Sequence, residues 1–359
     1  MKDSYLTAGI KLDQLFRLIS RNRITVKPRT LLRLAFLLQS AVWSSFFSWI
    51  ESARYKKALM RAAVPDNPIF IIGHWRTGST YLHQLMNLDP QLKAPTLFEV
   101  AVPDSFLVSY PYYRPIFRKV VSRHRPMDQV KIGMDEPQED EYALYRITSF
   151  SPLENLVFPK SGGYFLNHGS RFFPAEEQLP AWKARVKDFY TKLYFKSNKR
   201  IISKNPFNSF RIKLLLELFP NAKFIHITRD PFCVIPSTIH MWDILRKQNS
   251  MNDLSARPDF HEVTIMLRKL LETIETARKE LPQGTLVEVR FEELETSPVE
   301  VLKTLYSEIG LTFTDEFASR VRAYNLTNEG YQKNTFSLTE KEKAIIASEL
   351  NDLPRYHEN

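Results

Sequence analysis

Short apolar runs alternate with helical patterns along most of this chain, and this alternation constrains its fold more than any other feature. Residues 68–72 are wholly apolar, which is typical of a strand covered on both faces of a sheet. Similar runs lie at 200–204, 223–228 and 285–290, and helical patterns lie between them at 207–219, 231–245 and 261–281. This order predicts an α/β fold with a central parallel sheet and helices on both faces.

Length and composition are those of a globular protein. The chain has 359 residues, 43% hydrophobic and 25% charged, and we predict a helical N-terminal extension over 1–62 followed by one domain over 63–359. The single cysteine, Cys233, excludes a disulfide framework and fits a reducing compartment. No secretory signal is recognisable after Met1, so we expect a cytoplasmic protein, with membrane association left open.

The segment 34–50 is the one membrane candidate in the sequence, and basic residues precede it. It has three interpretations. An amphipathic helix packed on the domain is the simplest, because polar residues interrupt the segment. Interfacial association, helped by the basic flank, is the second. A true span is the third, although it would want about 20 mostly apolar residues.

The chain carries an excess of positive charge, with 50 Lys and Arg against 40 Asp and Glu, a formal net charge of +10. Such an excess favours anionic partners and says nothing about the fold. Nucleic acid, an anionic membrane and a phosphorylated small ligand all qualify, and solubility alone is the simplest explanation.

A glycine-bracketed loop follows the first predicted strand: Gly73-His-Trp-Arg76-Thr77-Gly78-Ser79-Thr80. Backbone N–H groups at the start of a helix and the helix dipole together bind anions, and Arg76 adds positive charge. The spacing approaches that of a nucleotide-hydrolysing phosphate loop, but Ser79 stands where such a loop needs Lys. The pattern therefore favours an anion site other than that of an ATPase, with a plain strand-to-helix turn as the alternative.

A second anion site is predicted after the strand at 223–228. Arg229 ends this strand, and Ser237 follows eight residues later, one or two turns into the next helix. A guanidinium fork and a hydroxyl can converge there on one phosphate. An ion pair between Arg229 and Asp230 or another acid is the alternative. Two such sites indicate a ligand with two separated anionic ends.

These two motifs resemble those of sulfotransferases that use 3'-phosphoadenosine 5'-phosphosulfate (PAPS) and release PAP. The resemblance implies a phosphate-loop-like sulfotransferase fold, and it extends from about residue 67 to the end of the chain. No metal is expected, because the eight histidines show no paired ligand spacing with cysteine or carboxylate. It places Arg76, Thr77, Gly78, Ser79 and Thr80 on the 5'-phosphosulfate, and Arg229 and Ser237 on the 3'-phosphate. The overall pattern, including the acidic run 134–142, is most similar to bacterial members of the third sulfotransferase group.

Two lysines also enter through this resemblance. Lys204, in Ser203-Lys204-Asn-Pro206, corresponds to the family's strand-end lysine and is expected on the transferred group. Lys333 lies where many members place a loop that closes over the nucleotide, and it is a further candidate for the 3'-phosphate, although the Arg-Lys-Gly of cytosolic animal enzymes is absent.

The general base is open in the sequence, because Pro206 stands where cytosolic animal members carry His. Glu99 is the first candidate, since it lies nine residues after Pro90, where tyrosyl-protein and several bacterial relatives carry a catalytic Glu; a surface or helix-capping carboxylate is its alternative. His83 is the second. The third is the acidic run Asp135, Glu136, Glu139, Asp140 and Glu141, which a helix dipole would also explain.

The acceptor is expected to be a small-molecule alcohol rather than nucleic acid. Apolar walls with few polar groups suit a lipophilic alcohol, and we expect a sterol or other lipid hydroxyl, with a carbohydrate as the alternative. The aromatic residues that prompt this are Phe98, Phe106, Tyr110, Tyr112, Tyr113, Phe117, Phe150, Phe158, Tyr164 and Phe165. They also suit an ordinary core. Competing functions are a phosphate-loop kinase or NTPase and a basic protein that binds phosphate backbones or membranes. The sequence leaves the oligomeric state open.

Overall fold

The computed structural model describes residues 6–120, 133–148, 150–159, 172–252, 259–327 and 336–353, with the side chains of 116–120 left out. Its strands are β1 (Ile69–Ile72), β2 (Leu92–Lys93), β3 (Arg200–Lys204), β4 (Lys223–Thr228) and β5 (Leu286–Arg290). The helices before β3 are α1 (Leu12–Arg21), α2 (Pro28–Arg61), α3 (Ser79–Met86), α4 (Leu97–Ala101), α5 (Phe106–Val120), α6 (Glu141–Thr148), α7 (Glu154–Val157) and α8 (Leu179–Ser197). Those after it are α9 (Ile212–Leu218), α10 (Pro231–Asn249), α11 (Phe260–Glu280), α12 (Phe291–Thr296), α13 (Pro298–Ile309), α14 (Asp315–Thr327) and α15 (Glu340–Leu350).

The five described strands form one sheet in the order β2-β3-β1-β4-β5. The pairs β1·β3, β1·β4 and β4·β5 are all parallel, so β1 lies in the middle, with Ile69 opposite Ile202 on one side and Lys223 on the other. Every residue of β1 is buried, as expected for a strand covered on both faces. The predicted α/β fold with a central parallel sheet and a helical N-terminal extension is confirmed.

Most of the predicted elements agree with the structure, although α10 runs four residues past its predicted end at 245. The helix expected over 207–219 is divided into a 3₁₀ helix, Pro206–Phe210, and α9, because the backbone of Arg211 leaves the helical region between them. Strand β2 was not predicted, since two residues are too short to show a periodicity.

The chain divides into two compact units. Unit 1 comprises 1–65, 93–201 and 243–257, and unit 2 comprises 66–92, 202–242 and 258–359. In unit 1, helix α2 packs against α1, α5 and α8, and α6 packs against both α4 and α8. The predicted division at residue 62 stays a prediction, and residues 1–65 group with later helices of the chain.

Unit 2 is built on the sheet and has an aromatic core. Phe70 of β1 stacks on Phe224 of β4 with 5.4 Å between ring centroids. Directly after β1, Trp75 packs edge-on against Phe207 at 4.7 Å and against Trp242 at 5.1 Å. These contacts hold the segment that leaves β1 against the elements that follow β3 and β4, and so fix the start of the loop at 73–80.

Candidate functional site

The loop Gly73–Thr80 leaves the carboxyl end of β1 and enters α3, as predicted. Gly73 has φ 132°, and a Cβ atom there would lie 2.6 Å from the carbonyl oxygen of Ile227. Its N–H donates to the Ser209 hydroxyl at 2.9 Å. Only glycine fits this position, because both the backbone angle and the close approach to β4 exclude a side chain.

Gly78 is constrained as well, by a side chain rather than by backbone. It has φ 88° at the start of α3, and a Cβ atom there would lie 2.0 Å from the ring of Phe291. The first N–H groups of α3 follow at Ser79 and Thr80, and such groups have no acceptor within their own helix. The packing of Phe291 on Gly78 therefore sets the position of these potential anion donors.

Arg76 adopts a left-handed backbone, φ 69°, which is uncommon for a residue other than glycine. Its Nε donates to the Ser237 hydroxyl of α10 at 2.9 Å. Its carbonyl oxygen accepts a hydrogen bond from Arg229 Nη1 at 3.2 Å. The structure thus brings together three residues predicted to bind anions, Arg76, Arg229 and Ser237, which we call the arginine cluster.

Arg229 has no carboxylate partner among the described residues. Its guanidinium lies over the ring of Phe291, 4.5 Å from the centroid. The neighbouring Asp230 instead accepts from the backbone N–H of Phe232 at 2.9 Å and so caps α10. The alternative of an Arg229–Asp230 ion pair is therefore wrong. The Arg229 guanidinium contacts a carbonyl group and an aromatic face, neither of which is an anion, so it can pair with an anionic ligand.

Two buried residues stabilise the loop from within. Thr77 donates its hydroxyl to the carbonyl oxygen of His74 at 2.8 Å, so this side chain holds the loop itself. The ring nitrogen Nδ1 of His74 lies 3.1 Å from the carbonyl oxygen of Trp75. Burial lowers the pKa of His74 to about 4, because a charged imidazole would lose its hydration. The loop is therefore built around a neutral histidine at pH 7.

The two remaining candidates in unit 2 are both buried. Lys204 is the last residue of β3 and lies opposite Ile71 of β1, so its backbone is at the same edge of the sheet as the loop. His83 lies on the buried face of α3, one turn after Ser79 and Thr80. Both positions agree with the predicted elements, and the chemical roles of both side chains stay predictions.

Glu99, in unit 1, is fully buried and has several partners. It forms a capping box with Thr96 at the start of α4. Its Oε2 accepts from Lys93 Nζ at 2.9 Å, and its Oε1 from Lys196 Nζ at 2.8 Å. Burial alone would raise the pKa of Glu99, but the two lysines outweigh it and hold that pKa below its usual value. We call Glu99, Thr96, Lys93 and Lys196 the Glu99 cluster.

The structure supports the capping role of Glu99, which the sequence left open as an alternative. Both carboxylate oxygens already accept hydrogen bonds. A carboxylate with a lowered pKa is ionised at pH 7 but is a weak base. Catalysis by Glu99 stays a prediction, and it requires that at least one lysine release the carboxylate.

The acidic run has structural partners in unit 1. Asp140 accepts from the Tyr190 hydroxyl, and Glu141 accepts from the Ser151 hydroxyl at 2.6 Å. The carbonyl oxygen of Glu136 accepts from the N–H of Leu97 at 2.9 Å. This segment therefore supports the start of α4, the helix that carries Glu99.

Most of the aromatic residues expected around an acceptor are part of the packing of unit 1. Phe98, Phe106 and Phe158 are buried. Tyr110 packs edge-on against Phe98 at 5.1 Å, and Tyr113 lies 5.5 Å from Phe47 of α2. Tyr164 and Phe165, the side chain of Phe117, and Lys333 lie outside the described residues. In the described part of the chain, no group of three or more His, Cys, Asp or Glu side chains is placed to hold a metal ion.

Sequence reasoning did not single out three residues that shape the site: Phe291, Ser209 and His74. Phe291 contacts both Gly78 and Arg229. It directly follows β5. Ser209 and His74 gave no signal, because a buried hydroxyl or imidazole that binds backbone groups has no characteristic spacing.

A parallel sheet whose central strand ends in a glycine-bracketed loop, with arginine at the end of the neighbouring strand, defines the class of α/β proteins built around an anion-binding loop. Within this class, a sequence profile described as "Sulfotransferase family" matches residues 68–315. The chain is also 32% identical over 342 residues to the omega-hydroxy-beta-dihydromenaquinone-9 sulfotransferase Stf3 of Mycobacterium bovis, covering 95% of this chain and 88% of that protein. The chain therefore belongs to the sulfotransferase family.

Two solved structures share the fold. The sulfotransferase STF9 from Mycobacterium avium has a TM-score of 0.69 at 17% identity, covering 95% of this chain and 96% of the other. The sulfotransferase STF1 from Mycobacterium tuberculosis has a TM-score of 0.61 at 20% identity, covering 95% and 88%. The resemblance inferred from the sequence motifs is confirmed at the level of fold and family.

Proposed function

We propose that the protein transfers a sulfuryl group from PAPS to the hydroxyl of a lipophilic alcohol. The observation that carries this proposal is the arginine cluster. Arg229 donates there to the backbone carbonyl of Arg76, Arg76 Nε donates to Ser237, and Arg229 has no carboxylate partner among the described residues. PAPS carries a 5'-phosphosulfate and a 3'-phosphate, so it matches a loop that binds one anion and a neighbouring arginine that binds another.

In this proposal the loop holds the phosphosulfate through Arg76 and the N–H groups of Gly78, Ser79 and Thr80. Arg229 and Ser237 hold the 3'-phosphate. Preorganised donors of this kind stabilise charge that develops on a leaving group, and Lys204 would stabilise the same charge. Arg76 Nε already donates to the Ser237 hydroxyl, and Arg229 Nη1 to the Arg76 carbonyl, so these three residues are held together before a ligand binds.

The chemistry balances as one group transfer. PAPS supplies an SO3 group, the bond between sulfur and the phosphate oxygen breaks, and a bond forms between sulfur and the acceptor oxygen. PAP leaves, and the acceptor's proton passes to a base. Glu99 is the first candidate for this base and His83 the second.

The acceptor class is supported by a relative. Stf3 is named for an omega-hydroxy derivative of a dihydromenaquinone, which is a lipophilic alcohol, and it aligns with nearly the whole of this chain. We therefore place a hydroxylated isoprenoid lipid ahead of a sterol, and a sterol ahead of a carbohydrate.

Donor binding is tested by thermal denaturation with PAP, ATP, ADP and AMP at matched concentration and ionic strength. A ligand at about 100 times its dissociation constant adds roughly 2.7 kcal/mol to the free energy of unfolding. We expect a clear increase in melting temperature with PAP and little with AMP, which lacks the 3'-phosphate. A larger increase with ATP would favour the kinase or NTPase function, and none with any nucleotide would contradict the proposal.

The acceptor is tested separately with PAPS and three alcohols in detergent: an omega-hydroxylated menaquinone, cholesterol and a monosaccharide. Mass spectrometry reads the gain of SO3 on each. We expect product on the isoprenoid alcohol. Product on the monosaccharide alone would overturn the lipophilic acceptor and leave the donor assignment intact.

A further inference from the structure

Helix α2 presents two opposite faces with different surroundings. Its buried face carries Thr30, Arg33, Leu37, Ala41, Ser44, Phe47 and Glu51. Its opposite face carries large apolar side chains that are exposed, and three aromatic ones among them follow one another at intervals of three residues, Trp43, Phe46 and Trp49. We call the whole set the exposed stripe: Leu32, Phe36, Val42, Trp43, Phe46 and Trp49. A helix covered by its own protein would not leave this stripe in water.

The buried face is committed to unit 1 along most of the helix. Near its start, Arg33 donates to the carbonyl oxygen of Gln248 at 2.8 Å and to that of Ser250. Further along, Glu51 pairs with Lys192 and accepts from the N–H of Leu107 at 2.8 Å. By length and composition α2 could cross a membrane, but spanning would break these contacts. The geometry favours a helix that lies parallel to a membrane surface, with its buried face on unit 1 and its opposite face exposed.

Three aromatic side chains of the exposed stripe pack against one another in a row. Trp43 packs edge-on against Phe46 at 6.0 Å, and Phe46 lies 6.5 Å from Trp49. Trp43 is 50% exposed and Trp49 is 69% exposed. Tryptophan is the side chain that prefers the boundary between lipid headgroups and acyl chains.

Basic side chains flank the stripe at both ends. Lys27 and Arg29 are exposed at its start, and those at its end are Arg54, Lys56, Lys57 and Arg61. Between residues 26 and 61 the one acidic residue is Glu51, which is buried and paired with Lys192. A second copy of the chain would bring like charges together in either direction of pairing. An anionic lipid surface instead matches both the stripe and its flanks.

We propose that α2 binds the surface of an anionic phospholipid bilayer, with the exposed stripe inserted between the headgroups and the basic flanks on lipid phosphates. This inference goes beyond the proposed function and does not rest on it, because no step of it uses the donor or the acceptor. It would bring the protein to the compartment where a lipophilic alcohol is dissolved.

The tryptophans provide the test. The chain has five, and Trp75, Trp182 and Trp242 are buried, so the two exposed ones both belong to the stripe. The protein is titrated with vesicles of phosphatidylglycerol and phosphatidylcholine that contain brominated lipid, and with vesicles of brominated phosphatidylcholine alone. We expect quenching and co-sedimentation with the anionic vesicles, both weakened by high salt. No quenching with either vesicle would overturn the proposal.

Variants test the exposed stripe and the basic flanks separately. Trp43→Ser with Phe46→Ser should lower the partition coefficient at least tenfold. Lys56→Glu with Lys57→Glu should lower it by about fivefold or more for each lysine. Leu326→Ser is the matched control, since Leu326 is 67% exposed but lies on α14 in unit 2, and it should leave the partition coefficient unchanged. Circular dichroism checks that each variant is folded.

Sedimentation velocity without lipid tests the competing partner. If α2 covers its stripe with a second copy, the protein should sediment as a dimer whose dissociation Trp43→Ser promotes, and vesicles should not quench it. That result would overturn the membrane proposal and leave PAP binding untouched. Loss of the PAP effect with retained vesicle binding would instead contradict the proposed function alone.

Discussion

The arginine cluster and the Glu99 cluster show two ways of placing charge inside one protein. Arg229 contacts a carbonyl oxygen and an aromatic ring, and no described carboxylate neutralises it. Glu99 is fully buried and shares its oxygens between two lysines and a backbone N–H. In the first arrangement the positive charge is not neutralised by a described carboxylate, so an anionic ligand can pair with it. The second is satisfied within the protein, which favours stability over binding.

The substitution Gly78→Ala tests the first region most severely. An added methyl group would meet the Phe291 ring at 2.0 Å in a left-handed backbone, so we expect PAP affinity to fall at least a hundredfold and the free energy of unfolding to fall by about 2–4 kcal/mol. Calorimetric titration and chemical denaturation measure the two effects.

Gly310→Ala is the matched control for Gly78→Ala. Gly310 has φ 69°, and no described atom lies within 4 Å of the position that an added methyl group would take. Its substitution should cost about 1–2 kcal/mol of backbone strain and leave PAP affinity unchanged. Equal effects of the two changes would show that Phe291 does not set the loop.

Glu99→Gln tests the second region. Removing one partner of a buried ion pair should lower the free energy of unfolding by about 3 kcal/mol. If Glu99 is also the base, kcat should fall by about a hundredfold or more with PAP affinity intact. A stability loss with unchanged kcat, measured well below the melting temperature, would leave Glu99 a capping residue and move the base to His83.

The chain carries its own control for this substitution. Thr339 and Glu342 form the same capping box at the start of α15, with the same 2.8 Å and 3.3 Å bonds, but at an exposed position. Glu342→Gln should therefore lower the free energy of unfolding by clearly less than Glu99→Gln does. The difference between the two variants measures what the buried lysines add.

Lowering the pH should reduce the free energy of unfolding in two steps, first through His74 in the loop and then through Glu99. The pKa of His74 is about 4 in the folded state against 6.5 as its ordinary value, so the unfolded chain binds this proton first as the pH falls. The free energy of unfolding should decrease between pH 6.5 and 4 by up to about 3 kcal/mol. The lowered pKa of Glu99 has its effect below about pH 4.5, where the unfolded carboxylate is protonated first.

Denaturation at a series of pH values measures this order. His74→Asn should flatten the decrease between pH 6.5 and 4. His261→Asn is the control, because His261 is 53% exposed on its side chain, and it should leave the decrease in place. An unchanged profile in His74→Asn would show that the loop does not depend on a neutral imidazole.

Of the four tests, Arg229→Ala should have the smallest effect. It removes one ligand contact and no side chain of the buried core. Loss of a hydrogen bond to a charged group weakens binding by about 10- to 100-fold. We expect this loss for PAP and almost none for AMP, as read by calorimetric titration. Arg229→Lys keeps the charge but loses the guanidinium fork, and should bind PAP with intermediate affinity. Equal losses for PAP and AMP would contradict the 3'-phosphate assignment.

The sequence predicted the parts of the molecule that depend on periodicity. Strands β1, β3, β4 and β5 lie within a residue of their expected bounds, since short runs rich in apolar residues between helical patterns have few other interpretations. Arg76 and Arg229 were found because each follows a strand closely. The roles of Phe291 and of the lysines around Glu99 could not be predicted, because they depend on contacts between residues far apart in the chain.

The position of β1 has a consequence for how the chain folds. The central strand β1 is synthesised early. Both of its neighbours, β3 and β4, are synthesised only after the whole of α8. Until then the edges of β1 have no partner, and Phe291, which completes the loop, is still absent. Long-range parallel pairing of this kind is slow and exposes apolar strands to aggregation. We expect nascent chains that end before β4 to depend on chaperones, and ligand binding to begin only when the last strand and α12 have been made.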